Sequence, residues 1–211
     1  DGTVLLPREH SGISPQYVQA EELNQSKKIR EFSEKNGGWT LQYDKATQTP
    51  HLAFGESIKI DGYSKITEEN VEQAAMQFIR ENAGVMNLDP DNLKLVRKTH
   101  VRNRWYVSYK QVHNGIEVLL SEIELRIFDN ANVMAFGVDY YNEIDVETSP
   151  SLSYESAAGY AADGFDDKTK RSAILTNERE DRQAYILPVK YGDSYTCKLV
   201  YKIRVASEDP S

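Results

Sequence analysis

The chain has 211 residues, which is enough for one large domain or two small ones. Its formal charge is −8 and its acidic and basic residues are interspersed, so it lacks the basic stripe that nucleic-acid binding requires. No apolar run approaches the roughly 18 residues needed to cross a bilayer. We therefore expect neither nucleic acid nor a membrane as a partner.

The first part of the chain predicts a polar arm, a short helix and a strand. Residues 1 to about 25 are polar and have no clear period. The segment SKKIREFSEKNGG predicts a short helix that buries Ile29 and Phe32 and ends at the glycine pair that follows it. The apolar residues of the next strand recur at period two: Trp39, Leu41 and Tyr43. A turn and a second extended segment, TPHLAFG, complete this part.

The first strong helix is predicted to begin after Thr67, whose hydroxyl can accept hydrogen bonds from free amides of the first turn. Gly84 is the predicted terminator. Pro90, which follows Asp89, predicts a helical turn after the helix. The apolar residues recur at the spacing of one buried helix face: Val71, Ala74, Ala75, Phe78 and Ile79.

A meander of strands is predicted for residues 104–140. Asn114 and Gly115 suit the positive φ angles of a hairpin turn. The alternation changes phase at Ser121-Glu122, which indicates a β-bulge, and DNAN at 129–132 predicts another turn. The successive apolar runs are Trp105, Val107, Tyr109; Ile116, Val118, Leu120; Ile123, Leu125, Ile127; and Met134, Phe136, Val138, Tyr140. A helix followed by such strands predicts an α+β module, with the helix packed on the apolar face of the sheet.

A smaller copy of the same plan is predicted after the acidic segment NEIDVETSPS. Ser153 can cap a short helix that ends at Gly164. The last strand has one apolar face, formed by Tyr195, Cys197, Leu199, Tyr201, Ile203 and Val205. We therefore predict an α+β fold of two tandem modules: an arm and short helix at 1–38, a first module at 39–148 and a second at 149–211.

The residues that carry chemistry do not form a catalytic pattern in this sequence. The four histidines are scattered, and the H-E-x-x-H, G-x-S-x-G and phosphate-loop motifs are absent. Cys197 lies within an apolar strand face, where burial favours the neutral thiol. Glu122 and Glu124 share a strand face about 7 Å apart, but no cleft is predicted beside them. The acidic clusters lack the spacing of a calcium loop, so we expect no cofactor and no metal.

Residues 39–209 resemble a known arrangement of two domains. The segment THVRNRWYVSYKQVHNGIEVLLSEIELRIFDNANVMAFGVD is similar to the core of the fungalysin/thermolysin propeptide (FTP) motif, with Arg104, Gln111, Asn114, Gly115, Ile116 and Val118 at its marked places. The helix TEENVEQAAMQFIRENAGVMNL and the earlier TPHLAFG follow the usual order of that family. LSYESAAGYAADGF and CKLVYKIRVASEDPS look like a PepSY domain. The resemblance implies modules of the cystatin-like or PepSY-like type.

The sequence departs from the family pattern at two turns. Leu119-Leu120-Ser121 stands where the family usually has Gly-Gly. Asn130 or Asn132 replaces the usual hairpin glycine, and asparagine also tolerates the left-handed conformation. These departures weaken any transfer of a contact surface from the family.

The resemblance implies the propeptide of a secreted, thermolysin-like or fungalysin-like zinc metalloprotease. Such a prodomain has no catalytic activity of its own and acts as intramolecular chaperone and inhibitor of a zymogen, with the mature metalloprotease domain as its partner in cis. An extracellular or periplasmic location is expected. Because the sequence stops at SEDPS, about where a connector to the catalytic cleft would begin, we expect these residues alone to inhibit weakly.

Two other functions stay open at this point. The same two modules could serve a secreted binding or adhesion protein that has no protease, or the chain could be an unrecognised enzyme, which a pocket with a carboxylate pair of shifted pKa would indicate. The predicted partner-contact residues lie on two surfaces. The solvent face of the first sheet contributes Arg104, Tyr106, Lys110, Glu122 and Glu124, and the outer face of the last strand contributes Lys198, Lys202 and Arg204.

Overall fold

In the computed structural model, the structure describes residues 17–18, 26–163, 173–175, 182–203 and 205–207. The helices in these ranges are α1 (Ser26–Lys35), α2 (Val71–Met86) and α3 (Tyr154–Asp163), and Pro90–Asn92 form a 3-10 turn. The strands are β1 (Tyr17–Val18), β2 (Thr40–Asp44), β3 (Pro50–Lys59), β4 (Leu93–Val101), β5 (Arg104–His113), β6 (Ile116–Glu117), β7 (Glu122–Phe128), β8 (Asn132–Asp139), β9 (Ala173–Leu175), β10 (Ala184–Tyr191), β11 (Ser194–Tyr201) and β12 (Val205–Ser207). The predicted α+β fold class is confirmed.

One large antiparallel sheet dominates the structure, and we call it the first sheet. Its strand order is β1-β2-β3-β8-β7-β5-β4, and the short β6 pairs with β5. Strands β10 and β11 form a separate hairpin, while β9 and β12 form another antiparallel pair. A parallel bridge between Val118 and Ile186 joins the β10–β11 hairpin to the end of the first sheet.

The core lies between the first sheet and helices α1 and α2. The predicted buried face of α2 is confirmed, since Val71, Ala74, Ala75, Phe78 and Ile79 are all buried. Leu41 and Tyr43 of β2 and the predicted residues of β5 face the same core. Trp39, which precedes β2, and Ile29 and Phe32 of α1 also face it. The buried residues recur at the helix period in α2 and at the strand period in β2 and β5, which is why the sequence pattern predicted these elements well.

Both predicted ends of α2 were wrong. The helix begins at Val71 after Asn70, and the Thr67 carbonyl, rather than its hydroxyl, accepts the first bond, from the Val71 N–H at 3.0 Å. Gly84 lies inside the helix, which continues to Met86 and ends at Asn87 in the left-handed conformation with φ 52°. Asparagine adopts that conformation more readily than most residues, so it terminates the helix in place of glycine.

The connection between β6 and β7 is a turn, whereas the sequence predicted a bulge within a continuous strand. The Ser121 hydroxyl donates to the Val118 carbonyl at 2.6 Å and accepts from the Gln111 N–H at 2.9 Å, which closes the turn. Val118 is buried as predicted, but Leu120 is not part of the core. Its side chain is 55% exposed, and its φ angle is +62°.

The turn before β8 also differs from its prediction. Ala131, and neither Asn130 nor Asn132, takes the positive φ angle, at 63°. A register shift between Arg126 and Ile127 then places Val133 in the core and leaves Met134 only partly buried. The rest of the predicted alternation is confirmed, because Phe136, Val138 and Tyr140 are buried.

The strands of the second predicted module are shorter and less continuous than the sequence predicted. The Ser153 hydroxyl caps α3 by accepting from the Ser156 N–H at 3.2 Å, as predicted. The predicted last strand is broken, because β11 ends at Tyr201 opposite the first residue of β10 and Val205 pairs with β9 instead. Gly164, the predicted helix stop, lies outside the described residues. The division of the chain at 38 and at 148 stays a prediction.

An aromatic cluster provides a direct test of which face of the first sheet holds the core. The Phe136 ring lies 5.5 Å from Trp39, 6.0 Å from Phe78 and 6.2 Å from Phe32, measured between ring centroids. Phe136 is 2% exposed, whereas Phe54 on the neighbouring strand is 45% exposed. We expect Phe136→Ala to lower the free energy of unfolding by about 3–5 kcal/mol through loss of buried contacts. Urea denaturation followed by tryptophan fluorescence measures this change.

The matched control for this prediction is Phe54→Ala. Because this side chain faces solvent, its removal should change the free energy of unfolding by about 0.5 kcal/mol or less. Equal losses in the two variants would contradict the assignment of the core to the face covered by α1 and α2.

Candidate functional site

The side of the first sheet opposite α1 and α2 forms a charged surface, which we call the open face. Successive residues of a strand point to opposite sides of a sheet, so every second residue of β5 from Arg104 and of β7 from Glu122 lies on this side, and Ser108 among them is buried. Cross-strand pairs define its rows, with Ser108 opposite Glu124 and Tyr106 opposite Arg126. The open face of β4, β5 and β7 is formed by Lys94, Arg97, Thr99, Val101, Arg104, Tyr106, Ser108, Lys110, Glu122, Glu124 and Arg126.

The centre of the open face is ordered by contacts between its own side chains. The Arg126 Nε donates to a Glu124 carboxylate oxygen at 3.0 Å, and the Arg126 guanidinium lies 5.9 Å from the centroid of the Tyr106 ring. The Arg104 guanidinium lies 5.2 Å from the Phe128 ring. These contacts restrict the rotamers of the side chains that take part in them.

The structure brings the predicted contact residues of the first sheet together on one face. Arg104, Tyr106 and Lys110 alternate along β5, and Glu122 and Glu124 alternate along the adjacent β7.

The other predicted contact surface does not form one strand face. Lys198 lies in β11, Lys202 is exposed after that strand ends, and Arg204 lies outside the described residues. Whether either surface contacts a partner stays a prediction.

A buried ion pair fastens the β10–β11 hairpin to the first sheet. The Lys190 ammonium donates to the Asp44 carboxylate at 2.5 Å, and these side chains are only 25% and 4% exposed. The other carboxylate oxygen of Asp44 accepts from the Ala46 and Thr47 N–H groups. A second, exposed pair joins Lys45 to Asp193 at 2.6 Å.

A buried amide connects the end of β5 to the segment that follows β8. The Gln111 side chain donates to the Tyr141 carbonyl at 2.7 Å and accepts from the Tyr141 N–H at 2.9 Å. The Tyr141 ring packs edge-on against Tyr195 of the hairpin at 5.1 Å between centroids, and the Tyr195 hydroxyl accepts from the Glu143 N–H. The hairpin therefore docks against a segment whose backbone is fixed by Gln111.

A histidine–carboxylate pair lies near this junction. The Nδ1 of His51 and a carboxylate oxygen of Asp139 are 2.7 Å apart, which links β3 to β8. The hydrogen bond with Asp139 raises the pKa of His51 above its usual value, and the Asp44 and Asp139 charges act in the same direction. Partial burial and the Lys190 charge act in the opposite direction.

The groups that could act as nucleophiles at this junction are held in their protonated forms. Burial raises the pKa of the Cys197 thiol to about 11. Burial likewise raises the pKa of the Tyr141 and Tyr195 hydroxyls. A thiol with this pKa is almost entirely protonated near neutral pH, so it is a poor nucleophile.

The described residues contain no metal-binding group of three or more His, Cys, Asp or Glu side chains. None of the described helices is long and apolar enough to span a membrane. A wide, shallow depression of about 700 Å³ lies along the outer side of α2 and is lined by Glu69, Glu72, Gln73, Met76, Gln77, Arg80 and Glu81.

Comparison with known proteins does not assign the chain to a family. No protein-family model matches it, and no curated protein matches it. Among solved structures, the Bacillus megaterium YpeB C-terminal domain aligns with 92% of this chain and 90% of that chain, with a TM-score of 0.40 and 10% sequence identity. A similarity this low supports no functional argument, so the propeptide resemblance rests on the sequence.

Sequence reasoning missed the polar residues that join the hairpin to the first sheet. Asp44 and Lys190 lie 146 positions apart, and His51 and Asp139, which pair nearby within the first sheet, lie 88 positions apart, so only the folded topology brings each pair together. One signal was present for Asp44. An aspartate that follows an alternating strand and precedes Lys45-Ala46-Thr47 is typical of a turn in which the carboxylate accepts nearby N–H groups.

The two ion pairs of the hairpin are expected to contribute unequally to stability. Lys190→Ala leaves the Asp44 carboxylate buried without its cation, which should lower the free energy of unfolding by about 3 kcal/mol. Lys45→Ala removes an exposed pair and should cost about 1 kcal/mol or less. Urea denaturation measures both values, and hydrogen exchange should show faster exchange in β10 and β11 for Lys190→Ala alone. Similar losses in the two variants would contradict the role of the buried pair.

The His51–Asp139 pair predicts a dependence of stability on pH. Because folding raises the pKa of His51, its contribution to stability is fully present below the pKa of the unfolded state and is lost as the pH rises through the folded-state pKa. The difference in unfolding free energy between the wild type and His51→Gln should therefore be larger at about pH 5.5 than at about pH 8.5.

The control for the pH measurement is His113→Gln, since His113 contacts Asn114 and no described carboxylate. The difference in unfolding free energy between His113→Gln and the wild type should change less between the two pH values. A His51→Gln difference that grows as the pH rises would show that the sign of the predicted linkage is wrong.

Proposed function

We propose that this chain is a non-catalytic binding domain, and more specifically the prodomain of a secreted zinc metalloprotease, which assists the folding of the mature enzyme and inhibits it. The observation that supports a binding role is the open face. Helices α1 and α2 pack on the opposite side of the first sheet, and the β10–β11 hairpin docks at one end of it. A broad charged surface is thus left uncovered by the described elements.

The open face has the physical properties of a preformed binding platform. It belongs to a sheet whose other side is held by a continuous apolar core, so its backbone is expected to move little on binding. It carries both signs of charge in defined rows, which favours one orientation of a partner over others. A partner that binds this surface in its folded form would be stabilised by the binding free energy, which is how a prodomain assists folding.

The choice of a metalloprotease as the partner is supported by the order of weak sequence motifs between residues 39 and 209. The chemistry of the junction is compatible with a domain that has no catalytic activity, because Cys197 and the tyrosines beside it are protonated near neutral pH. The predicted arrangement of two modules, each with a helix packed on a sheet, also suits a secreted binding or adhesion protein without a protease. Both functions would use the open face, so they differ in the partner rather than in the surface.

The coding sequence that follows Ser211 distinguishes these two functions directly. A helix with the H-E-x-x-H pattern in the next few hundred residues would support the prodomain proposal. Adhesion repeats or a stop codon would overturn it and leave the binding module as the better proposal.

A refolding experiment then tests the mechanism. The protease domain encoded downstream is denatured and refolded with or without this chain added in trans, and recovered peptidase activity is measured. We expect the chain to raise the yield, and we expect Arg104→Glu combined with Tyr106→Ala to reduce its affinity about tenfold or more, since both residues lie on the open face. The matched control is Lys27→Glu with Lys35→Glu on the solvent side of α1, which should bind like the wild type. An equal yield with and without the chain would contradict the chaperone role.

A further inference from the structure

The charges of the open face are separated by strand. On β4 and β5 its charged side chains are all cations: Lys94, Arg97, Arg104 and Lys110. On β7 and β8 they are mainly carboxylates: Glu122, Glu124 and Asp139. The exception on β7 is Arg126, which is bonded to a neighbouring carboxylate of the same strand. One half of the open face is therefore positive, and the adjacent half is negative.

One row across the sheet shows this separation most clearly, and we call it the charged row. Lys94 on β4 is directly opposite Lys110 on β5, and Glu122 on β7 is directly opposite Asp139 on β8. Lys110 and Glu122 lie in the same row, because the residues adjacent to them in β5 and β7 pair with each other. In the order β4, β5, β7, β8, the charged row thus has two cations followed by two carboxylates.

The charged row is electrostatically unfavourable within one chain. Like charges that are directly opposite each other in a sheet repel, and the row contains two such pairs. Neither Lys94 nor Glu122 forms an ion pair within the described part of the chain. Lys110 donates to a backbone carbonyl of the turn before β7, and Asp139 pairs with His51. These contacts leave the outer cation and one carboxylate of the row without an opposite charge.

A second copy of the chain can supply the opposite charges if the two copies pack with their open faces together. The required two-fold axis runs along the strands, between β5 and β7. Such an axis sets β5 of one copy over β7 of the other and β4 over β8, so each row faces its own reverse. Lys110 then faces Glu122 of the second copy, and Lys94 faces Asp139 of the second copy.

The two rows next to the charged row are also self-complementary about this axis. In the nearer row, Arg97 on β4 faces Gly137 of the second copy, which has no side chain and lies beside Glu124. In the following row, Tyr106 faces Arg126 of the second copy, and these are the groups that stack on each other within one chain. Long side chains therefore face short ones or groups that attract them.

We propose that the chain forms a symmetric dimer through the open face, with the charged row of one copy over the charged row of the other. Lys94 and Glu122 are exposed and available for this contact. Sheets that pack face to face lie about 10 Å apart, a gap that a lysine of one copy and a carboxylate of the other can bridge. Three rows of four strands cover about 20 Å by 20 Å. A surface of this size forms a small interface, so we expect a weak, reversible dimer.

Two simpler explanations account for less of the charged row. Protection against unwanted strand pairing explains Lys94, which lies on the edge strand β4. It does not explain Lys110 or the two carboxylates, because β5, β7 and β8 are interior strands. Solvation of a charged surface requires charged side chains but does not require the two signs to be separated by strand.

Sedimentation velocity of the full chain over a range of concentrations tests whether the dimer forms. The salt concentration is about 0.15 M, because screening then limits the long-range repulsion between copies whose formal charge is −8. We expect the wild type to change from the mass of one chain to the mass of two as its concentration rises. The mass of one chain at near-millimolar concentration would overturn the proposal, and growth beyond two chains would overturn the two-fold arrangement.

Charge reversal in the charged row tests which residues face each other. Lys110→Glu sets a carboxylate against Glu122 of the second copy, and Glu122→Lys sets an ammonium against Lys110. Each variant alone should dimerise at least about tenfold more weakly than the wild type. An equal mixture of the two variants has opposite charges at both contacts and should form a mixed dimer. Failure of this mixture, with both variants shown to be folded by circular dichroism, would overturn the proposed pairing.

Three further variants separate the charged row from net charge. Lys94→Glu mixed with Lys110→Glu should not restore the dimer, because like charges still face each other, and restoration would contradict the pairing. Lys27→Glu and Glu31→Lys make the same two changes in net charge on α1, where both side chains are exposed. Each of these controls should dimerise like the wild type. Loss of the dimer in both controls would contradict the role of the charged row.

These measurements do not require a protease, so their outcome is independent of the proposed function. If the chain stays monomeric and still assists refolding of the downstream enzyme, the dimer is wrong and the prodomain proposal stands. If the chain dimerises as expected and the downstream coding sequence has no protease, the dimer stands and the prodomain proposal is wrong. A client on the open face should also dissociate the dimer, and this consequence alone rests on the proposed function.

Discussion

A single buried carboxylate, that of Asp44, determines how the two parts of this structure fit together. Removing a carboxylate from water is unfavourable by several kcal/mol unless its oxygens are hydrogen-bonded and its charge is paired. Two N–H groups of the turn after β2 satisfy one oxygen, and the Lys190 ammonium pairs with the other. Lys45 of the same turn pairs with Asp193 of the hairpin and not with Asp44, so the cation of the buried carboxylate comes from β10. The two pairs together favour the position of the hairpin in which Lys190 reaches the end of β2.

The position of the hairpin also brings it into contact with segments that follow other strands of the first sheet. Once the hairpin is placed, Ile186 offers its carbonyl to Leu119 and bridges Val118, and Tyr195 packs on Tyr141. Each of these contacts fixes a segment that follows a strand of the first sheet. The polar network around Gln111 completes the junction by bonding both backbone groups of Tyr141. Buried groups that are fully satisfied in this way favour one arrangement over many similar ones.

The sequence predicted the apolar part of this structure well and the polar junction poorly, and the two results have a common physical cause. Burial of Val107, Leu125 or Phe78 follows from a local period, because a strand or a helix that packs on one side must repeat its apolar residues at 2 or 3.6 positions. The pairing of Lys190 with Asp44 joins residues 146 positions apart and leaves no period to detect. The positive φ angles of Ala131 and Leu120 were missed for a related reason. The residue type only favours or disfavours a positive φ angle at such positions. Hydrogen bonds from the surrounding fold can impose that conformation on a residue that does not favour it.

The junction and the open face are connected through Ser121, because the ammonium of Lys110 on the open face donates to the Ser121 carbonyl. The conformation of Leu120 is held by Ser121 on the side of the first sheet and by Ile186 on the side of the hairpin. Undocking of the hairpin would remove the Ile186 carbonyl from the Leu119 N–H and free one side of this turn. It would also separate Lys190 from the buried Asp44 carboxylate, which is unfavourable, so the buried pair favours the docked arrangement. By linkage, whatever stabilises the docked hairpin also stabilises the turn, and whatever stabilises the turn stabilises the docked hairpin to the same degree.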